Sequence, residues 1–175
     1  MQPIKLLEKT LEQNADSQHC LFSQQDFSSI FPDMTAENLT MLLSRAVKNK
    51  ILERICKGIY LYTKTDYDSS LILFKVAAKL RASCMNYVTL ETVLSQSGAI
   101  SQQLLGWITV MTTGRSGIIK CGHFGTVELI HTAKNFDKIM PELRLDRVTG
   151  MFWASEKLAM QDMKDCKRPL DLIEN

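Results

Sequence analysis

Cysteine pairs, long apolar runs and a charge imbalance are all missing from this chain. Its 5 cysteines (Cys20, Cys56, Cys84, Cys121, Cys166) are scattered over 175 residues and include no C-x-x-C pair. That excludes a locally built zinc ribbon or a thioredoxin-type motif, and an odd set of dispersed cysteines reads as free thiols in a reducing cytoplasm. No apolar run approaches the roughly 20 residues of a membrane helix. The first residues, Met1-Gln-Pro-Ile-Lys-Leu-Leu-Glu-Lys, contain no apolar h-region, so neither a span nor a signal peptide is expected. Gly (8) and Pro (4) are sparse, which leaves most of the chain free to form regular elements. The net charge of +2 neither demands nor forbids a nucleic-acid partner, so local charge must decide.

What is present is the composition of a soluble globular protein, with 45% hydrophobic and 23% charged residues, which excludes disordered, collagenous and low-complexity classes. The length suits one ordinary domain or two small ones. Residues 1–65 carry helical signals. Ile4, Leu6, Leu7 and Leu11 fall near helical spacing. Ser23, with Asp26 three residues on, is a helix N-cap before Phe27, Ile30 and Phe31, and Pro32 stops that helix. Thr35 caps a third helix in which Leu39, Leu42, Leu43, Ala46 and Val47 follow the i, i+3, i+4, i+7, i+8 pattern. The period then changes, and residues 51–56 and 59–63 read as two strands around a Lys57-Gly58 turn.

Three helices and a hairpin are the plan of a winged helix-turn-helix, whose third helix enters the major groove. Arg45, Lys48, Lys50, Arg54, Lys57 and Lys64 face only Glu53 in this stretch, a local net of +5 that suits phosphate. Met41, Ser44, Arg45 and Lys48 lie on the polar face of the third helix, and Arg54 and Lys57 on the hairpin. These six are the candidate DNA-binding residues. Helix-ending cations also complement the helix dipole, and winged helices also bind proteins, so an interaction module remains an alternative.

Residues 66–175 read as a second domain. Asp68-Ser-Ser70 is expected to cap a central helix running to about Ala82, and Thr89 to cap another that Gly98 ends. Residues 107–112, 117–121 and 126–132 alternate as strands, separated by Gly114-Arg-Ser-Gly117 and Gly122-His-Phe-Gly125, which suggests an antiparallel meander. Residues 151–154 form a last strand, and Ser155 caps a last helix with Leu158, Ala159 and Met163 inward. The expected class is α+β: an N-terminal winged helix-turn-helix, then a mixed α/β domain with a mainly antiparallel sheet.

The hairpin Ile51-Leu-Glu-Arg-Ile-Cys-Lys-Gly-Ile-Tyr60 resembles the wing of the AbiEi-like antitoxins of type IV toxin–antitoxin systems. Further segments are similar to that family in the same order. They are Tyr87-Val-Thr-Leu-Glu-Thr-Val-Leu, Ile108-Thr-Val-Met-Thr-Thr-Gly-Arg, Gly125-Thr-Val-Glu-Leu-Ile-His131 and Ala154-Ser-Glu-Lys-Leu-Ala-Met-Gln-Asp162. Leu158 departs from the alanine the family favours. The resemblance implies a transcriptional autorepressor that binds inverted repeats in promoter DNA. Its second domain would counter a nucleotidyltransferase-like toxin, with or without direct contact.

No catalytic constellation emerges. Cys121 and His123, two apart on a strand, would share a face with His131 nearby, but a zinc site needs further ligands and none is evident. The glycine pairs are turn glycines and not phosphate loops. Glu156 and Asp162, six apart, do not form an acid–base pair. An enzyme that reverses toxin modification is therefore the weaker alternative, and no metal or cofactor is expected. In the second domain, Arg115 on a tight turn, flanked by Thr113 and Ser116, is the candidate toxin-countering group, able to hold an anion or a carboxylate.

Overall fold

The computed structural model describes residues 2–100 and 105–170. The protein is α+β, and the chain divides into two compact units between Ser69 and Ser70.

The first unit contains α1 (Pro3–Asn14), β1 (Leu21–Ser23), α2 (Gln24–Ile30), α3 (Ala36–Lys48), β2 (Leu52–Cys56) and β3 (Ile59–Tyr62). Pro3 opens α1, where its missing N–H costs nothing. Ser23 and Asp26 close a full capping box on α2: the Ser23 hydroxyl accepts from Asp26 N, and the Asp26 carboxylate accepts from Ser23 N. The Thr35 hydroxyl accepts from Asn38 N at the start of α3. α3 ends without a glycine. Lys50 takes φ +57°, its N–H donates to Val47 O, and Ile51 N–H donates to Ala46 O. That is the Schellman closure usually made by glycine.

The strands form an antiparallel sheet in the order β1-β3-β2. β1 was not anticipated. Three residues are too few to show alternation, and the helix cap at Ser23 masks them. Leu7 and Leu11 of α1, Phe27 of α2, Leu39, Leu42, Leu43 and Ala46 of α3, and Leu52 and Tyr60 of the hairpin form one buried cluster. Phe27 meets Tyr60 edge-on with ring centroids 5.9 Å apart.

The second unit contains α4 (Ile72–Leu80), β4 (Asn86–Val88), α5 (Leu90–Gln96), β5 (Trp107–Thr112), β6 (Gly117–Lys120), β7 (Thr126–His131), α6 (Phe136–Ile139), β8 (Leu143–Asp146), β9 (Met151–Ala154) and α7 (Glu156–Asp165). A single six-stranded sheet has the order β6-β7-β5-β4-β9-β8. The strands do not form the expected antiparallel meander. β5 and β7 lie side by side in parallel, Trp107 opposite Thr126 through Thr112 opposite His131, and β6 is displaced to the edge beyond β7. β4 pairs antiparallel with β5 and parallel with β9, which pairs antiparallel with β8. Antiparallel pairs predominate in a mixed sheet. Ile108 through Thr112 are all buried, so β5 is covered on both faces.

Gly125 explains the parallel pair. A Cβ at Gly125, which has φ +124°, would stand 2.0 Å from the carbonyl oxygen of Gly106. The two backbones cross there, and Thr126 N–H donates to Gly106 O at 2.7 Å. This glycine permits a close approach that lets β7 enter beside β5.

Other local expectations also change. Asp68-Ser-Ser70 does not cap α4: residues Ser69–Leu71 form a 3-10 turn, and the helix ends at Leu80. Thr89 starts α5 without a side-chain cap, because its hydroxyl is used elsewhere. β6 ends at Lys120, and Cys121 leads into a 3-10 turn with His123 inside it, so the two do not share a strand face. β4, α6 and β8 are three or four residues each, below the length at which periodicity is readable.

Two substitutions test the separate cores. Leu43→Asp places an unpaired carboxylate at a fully buried site, a cost of about 3 kcal/mol or more. Hydrogen exchange should show protection lost over α1–β3 and kept over β4–β9. Gly125→Ala should do the reverse, lowering protection in the six-stranded sheet and leaving the first unit unchanged.

Candidate nucleic-acid interface

Burying the Leu39/Leu42/Leu43/Ala46 stripe turns the other side of α3 to solvent. Met41 is 60% exposed, and Ser44, Arg45 and Lys48 are exposed beside it, at i, i+3, i+4 and i+7. The Ser44 hydroxyl donates to Thr40 O at 2.8 Å. Arg45 and Lys48 occupy the last turn of α3, where cations complement the helix dipole.

α3 packs against β2, so helix and hairpin are neighbours in the unit. Arg54 is exposed on β2 opposite Tyr60, and Lys57 is exposed at the turn, where Gly58 takes φ +79°. The register of the hairpin shifts by a bulge between Arg54 and Cys56. All six candidate residues are exposed, and all lie within one small unit.

The charge count needs one correction. Lys64 is held by Glu8 and lies 3.9 Å from Glu12, so it fastens β3's end to α1. The hydrogen bond to Glu8 raises its pKa, outweighing slight desolvation. Without Lys64 the local net falls from +5 to +4.

The second unit uses the Thr113–Ser116 turn differently from its two candidate hydroxyls' expected role. The Thr113 hydroxyl accepts from Met85 N–H at 3.2 Å, and the Ser116 hydroxyl accepts from His131 N–H at 2.8 Å. The Arg115 carbonyl accepts from Arg81 Nη2 at 3.1 Å. These bonds fix the turn and leave the exposed Arg115 guanidinium as the group it displays. Thr113 and Ser116 are anchors.

Sequence reading missed a buried polar cluster beneath α7. Asp162 is 0% exposed. Its carboxylate accepts from the Thr89 hydroxyl at 2.6 Å and from Lys134, whose ammonium also reaches Asp165 at 2.8 Å. Burial lowers the Lys134 pKa, and the two carboxylates more than reverse it, so its value lies above the usual lysine range. The Tyr87 hydroxyl is buried beside this cluster. Burial first, then the negative charge of Asp162, drives it far above the ordinary tyrosine value. Leu90, next to Thr89, is held at φ +55°.

A signal existed for one member: Asp162 falls four residues after Leu158, on the stripe that buries Ala159 and Met163. Nothing local marks Lys134. A second tie is made by Arg168, which binds Glu128 and lies 3.7 Å from Glu91. These charges neutralise one another, which makes them fasteners of α7 and the residues after it.

Among the described residues no group of three His, Cys, Asp or Glu side chains gathers to hold a metal ion, and no helix is long and apolar enough to cross a membrane. No protein-family model matches the chain, and no curated protein is significantly similar to it.

Removing Lys134 leaves a buried carboxylate without its cation. Lys134→Met should destabilise the second unit by about 3 kcal/mol, the low end for a broken buried pair because the lysine is partly exposed. Asp162→Asn, which still accepts from Thr89, should cost less. The folded unit holds the Lys134 and Tyr87 protons more tightly than the unfolded chain does. The contribution of these groups to stability is therefore constant below about pH 10 and is lost as pH rises past it, as the unfolded chain deprotonates first. Urea titrations at pH 8 and pH 10.5 should show that loss, and Tyr87→Phe should reduce it.

Proposed function

We propose that the chain is a winged-helix DNA-binding antitoxin that represses its own promoter and counters a nucleotidyltransferase-like toxin through its second unit. The observation that carries the DNA half is the exposed basic surface of α3 and the β2–β3 hairpin, built on the element order α1-β1-α2-α3-β2-β3 with sheet order β1-β3-β2.

In this reading α3, 13 residues long, lies in the major groove, whose width of about 12 Å admits a helix. Ser44 faces base edges, and Arg45 and Lys48 reach base edges or flanking phosphates. The hairpin tip follows the backbone through Arg54 and Lys57. Each phosphate neutralised releases condensed counterions, which supplies affinity without sequence information. Specificity would come from the few α3 side chains at base edges.

The toxin-countering half rests on the resemblance and on Arg115. Its turn is fastened by Thr113, Ser116 and Arg81, so a guanidinium is presented on a fixed support. Such a group suits a phosphate or carboxylate of a partner.

Gel-shift titrations against the DNA upstream of the gene test the first half. Lys48→Ala and Lys57→Ala should each weaken binding and flatten the plot of log K against log salt by about 0.9 per lost phosphate contact. Unchanged slopes would remove these residues from the interface. In a growth assay with the neighbouring toxin gene, Arg115→Ala in the full chain should reduce rescue while leaving promoter repression intact.

A further inference from the structure

One side of the first unit carries an apolar groove of about 540 Å³ that the DNA reading leaves unexplained. It runs between the start of α1, the α2–α3 turn and one face of α3. Leu6, Ile30, Met34 and Met41 supply its apolar lining, and Asp33 and Arg45 its charges. Leu6 is 39% exposed and Met41 60%. Large apolar side chains gathered in an open groove mark an interaction surface.

The two charges identify the occupant. Asp33 lies in the turn before α3, and Arg45 lies nine residues after Ala36, about 14 Å along the helix axis. Asp33 precedes the α3 stretch that lines the groove and Arg45 ends it, and neither makes an ion pair among the described residues. A two-fold contact pairs residue i of one copy with j of the other and j with i. Laid antiparallel, groove on groove, two copies bring each Arg45 to the other's Asp33. Met41, midway along the face, then meets its own counterpart at the axis. The face is complementary to itself in charge.

We propose that this face is a self-association surface, apposed to the same face of a second copy of the chain. Eleven residues line it, fewer than the 20–30 per side of a standard stable interface, so the association is weak, with a dissociation constant on the order of micromolar or above. Packed helices lie about 8–10 Å apart, whereas half-sites on DNA are separated by about 34 Å. The paired form therefore holds its two α3 helices in an arrangement that successive major grooves cannot accept, and Met41 and Arg45 serve either the partner copy or DNA. This exclusion rests on the DNA reading. The self-association does not.

Sedimentation equilibrium of the full chain from about 1 to 300 μM tests it, a range suited to weak interfaces. Wild type should pass from monomer to dimer, and Leu6→Asp should weaken this at least tenfold with an unchanged circular dichroism spectrum. Asp33→Arg alone and Arg45→Asp alone should each be monomeric, since each two-fold pair then juxtaposes like charges. Mixed in equal amounts they should form a heterodimer, because both cross-pairs become opposite in sign, and this recovery excludes misfolding as the cause of the single losses. A wild type that stays monomeric, a Leu6→Asp that dimerises normally, or charge variants that do not recover on mixing would overturn the proposal. A 20-base-pair duplex from the promoter, added to the dimer, should dissociate it. Binding of duplex to the intact dimer would overturn the exclusion alone, and a duplex that does not bind at all would overturn it together with the DNA reading, leaving self-association to the first measurements.

Discussion

A helix of 3.6 residues per turn cannot bury one stripe without presenting another, and α3 is where that constraint governs the first unit. Leu39, Leu42, Leu43 and Ala46 meet α1, α2 and the hairpin in the core. Their spacing leaves Met41, Ser44, Arg45 and Lys48 outward without any further choice. The capping box at Ser23, the Thr35 cap and the left-handed Lys50 all serve to start and stop helices so that this face stays in register with β2. Which side chains α3 presents follows from packing geometry before charge is considered.

The second unit answers a different constraint. A carboxylate taken fully out of water must be paired. Asp162 is satisfied by Thr89 at the start of α5 and by Lys134 in the segment after β7, elements far apart in the chain. Thr89 gives up its role as a cap to serve it. Arg168 makes a parallel tie to Glu128 and Glu91. Polar fastening of this kind is a weak source of net stability, since desolvation offsets most of the attraction. It does penalise any arrangement of α7 that separates the partners, which gives the helix one seat.

The exposed face of α3 is not uniform. Ser44 and Lys48 border open solvent, whereas Met41 and Arg45 look into the apolar groove with Leu6 and Asp33. A surface that is basic and apolar at once is suited to two exclusive partners, a polyanion and a second apolar face. Arg45 is central to both proposed uses because the guanidinium fork matches the geometry of phosphate and of carboxylate. The hairpin cations Arg54 and Lys57 lie outside the groove lining.

Periodicity and caps made α1, α2, α3, the β2–β3 hairpin and α7 legible, because each is encoded by residues within a few positions of one another. Ser23, Thr35 and Ser155 cap as their neighbours indicate. The six residues on α3 and the hairpin were legible for the same reason: once a helix face and a turn are known, their outward side chains follow. Sheet order was not. Strand alternation tells which residues face inward, but the β5–β7 parallel pair depends on Gly125 passing within contact of Gly106, nineteen positions away. Lys64 counted as a free cation until folding set it against Glu8. Thr113 and Ser116 looked like binding groups until backbone N–H groups from Met85 and His131 claimed their hydroxyls. Local sequence determined which elements form and which faces they show. Only the tertiary structure decided which charges and hydroxyls remain available, because their partners come from distant parts of the chain.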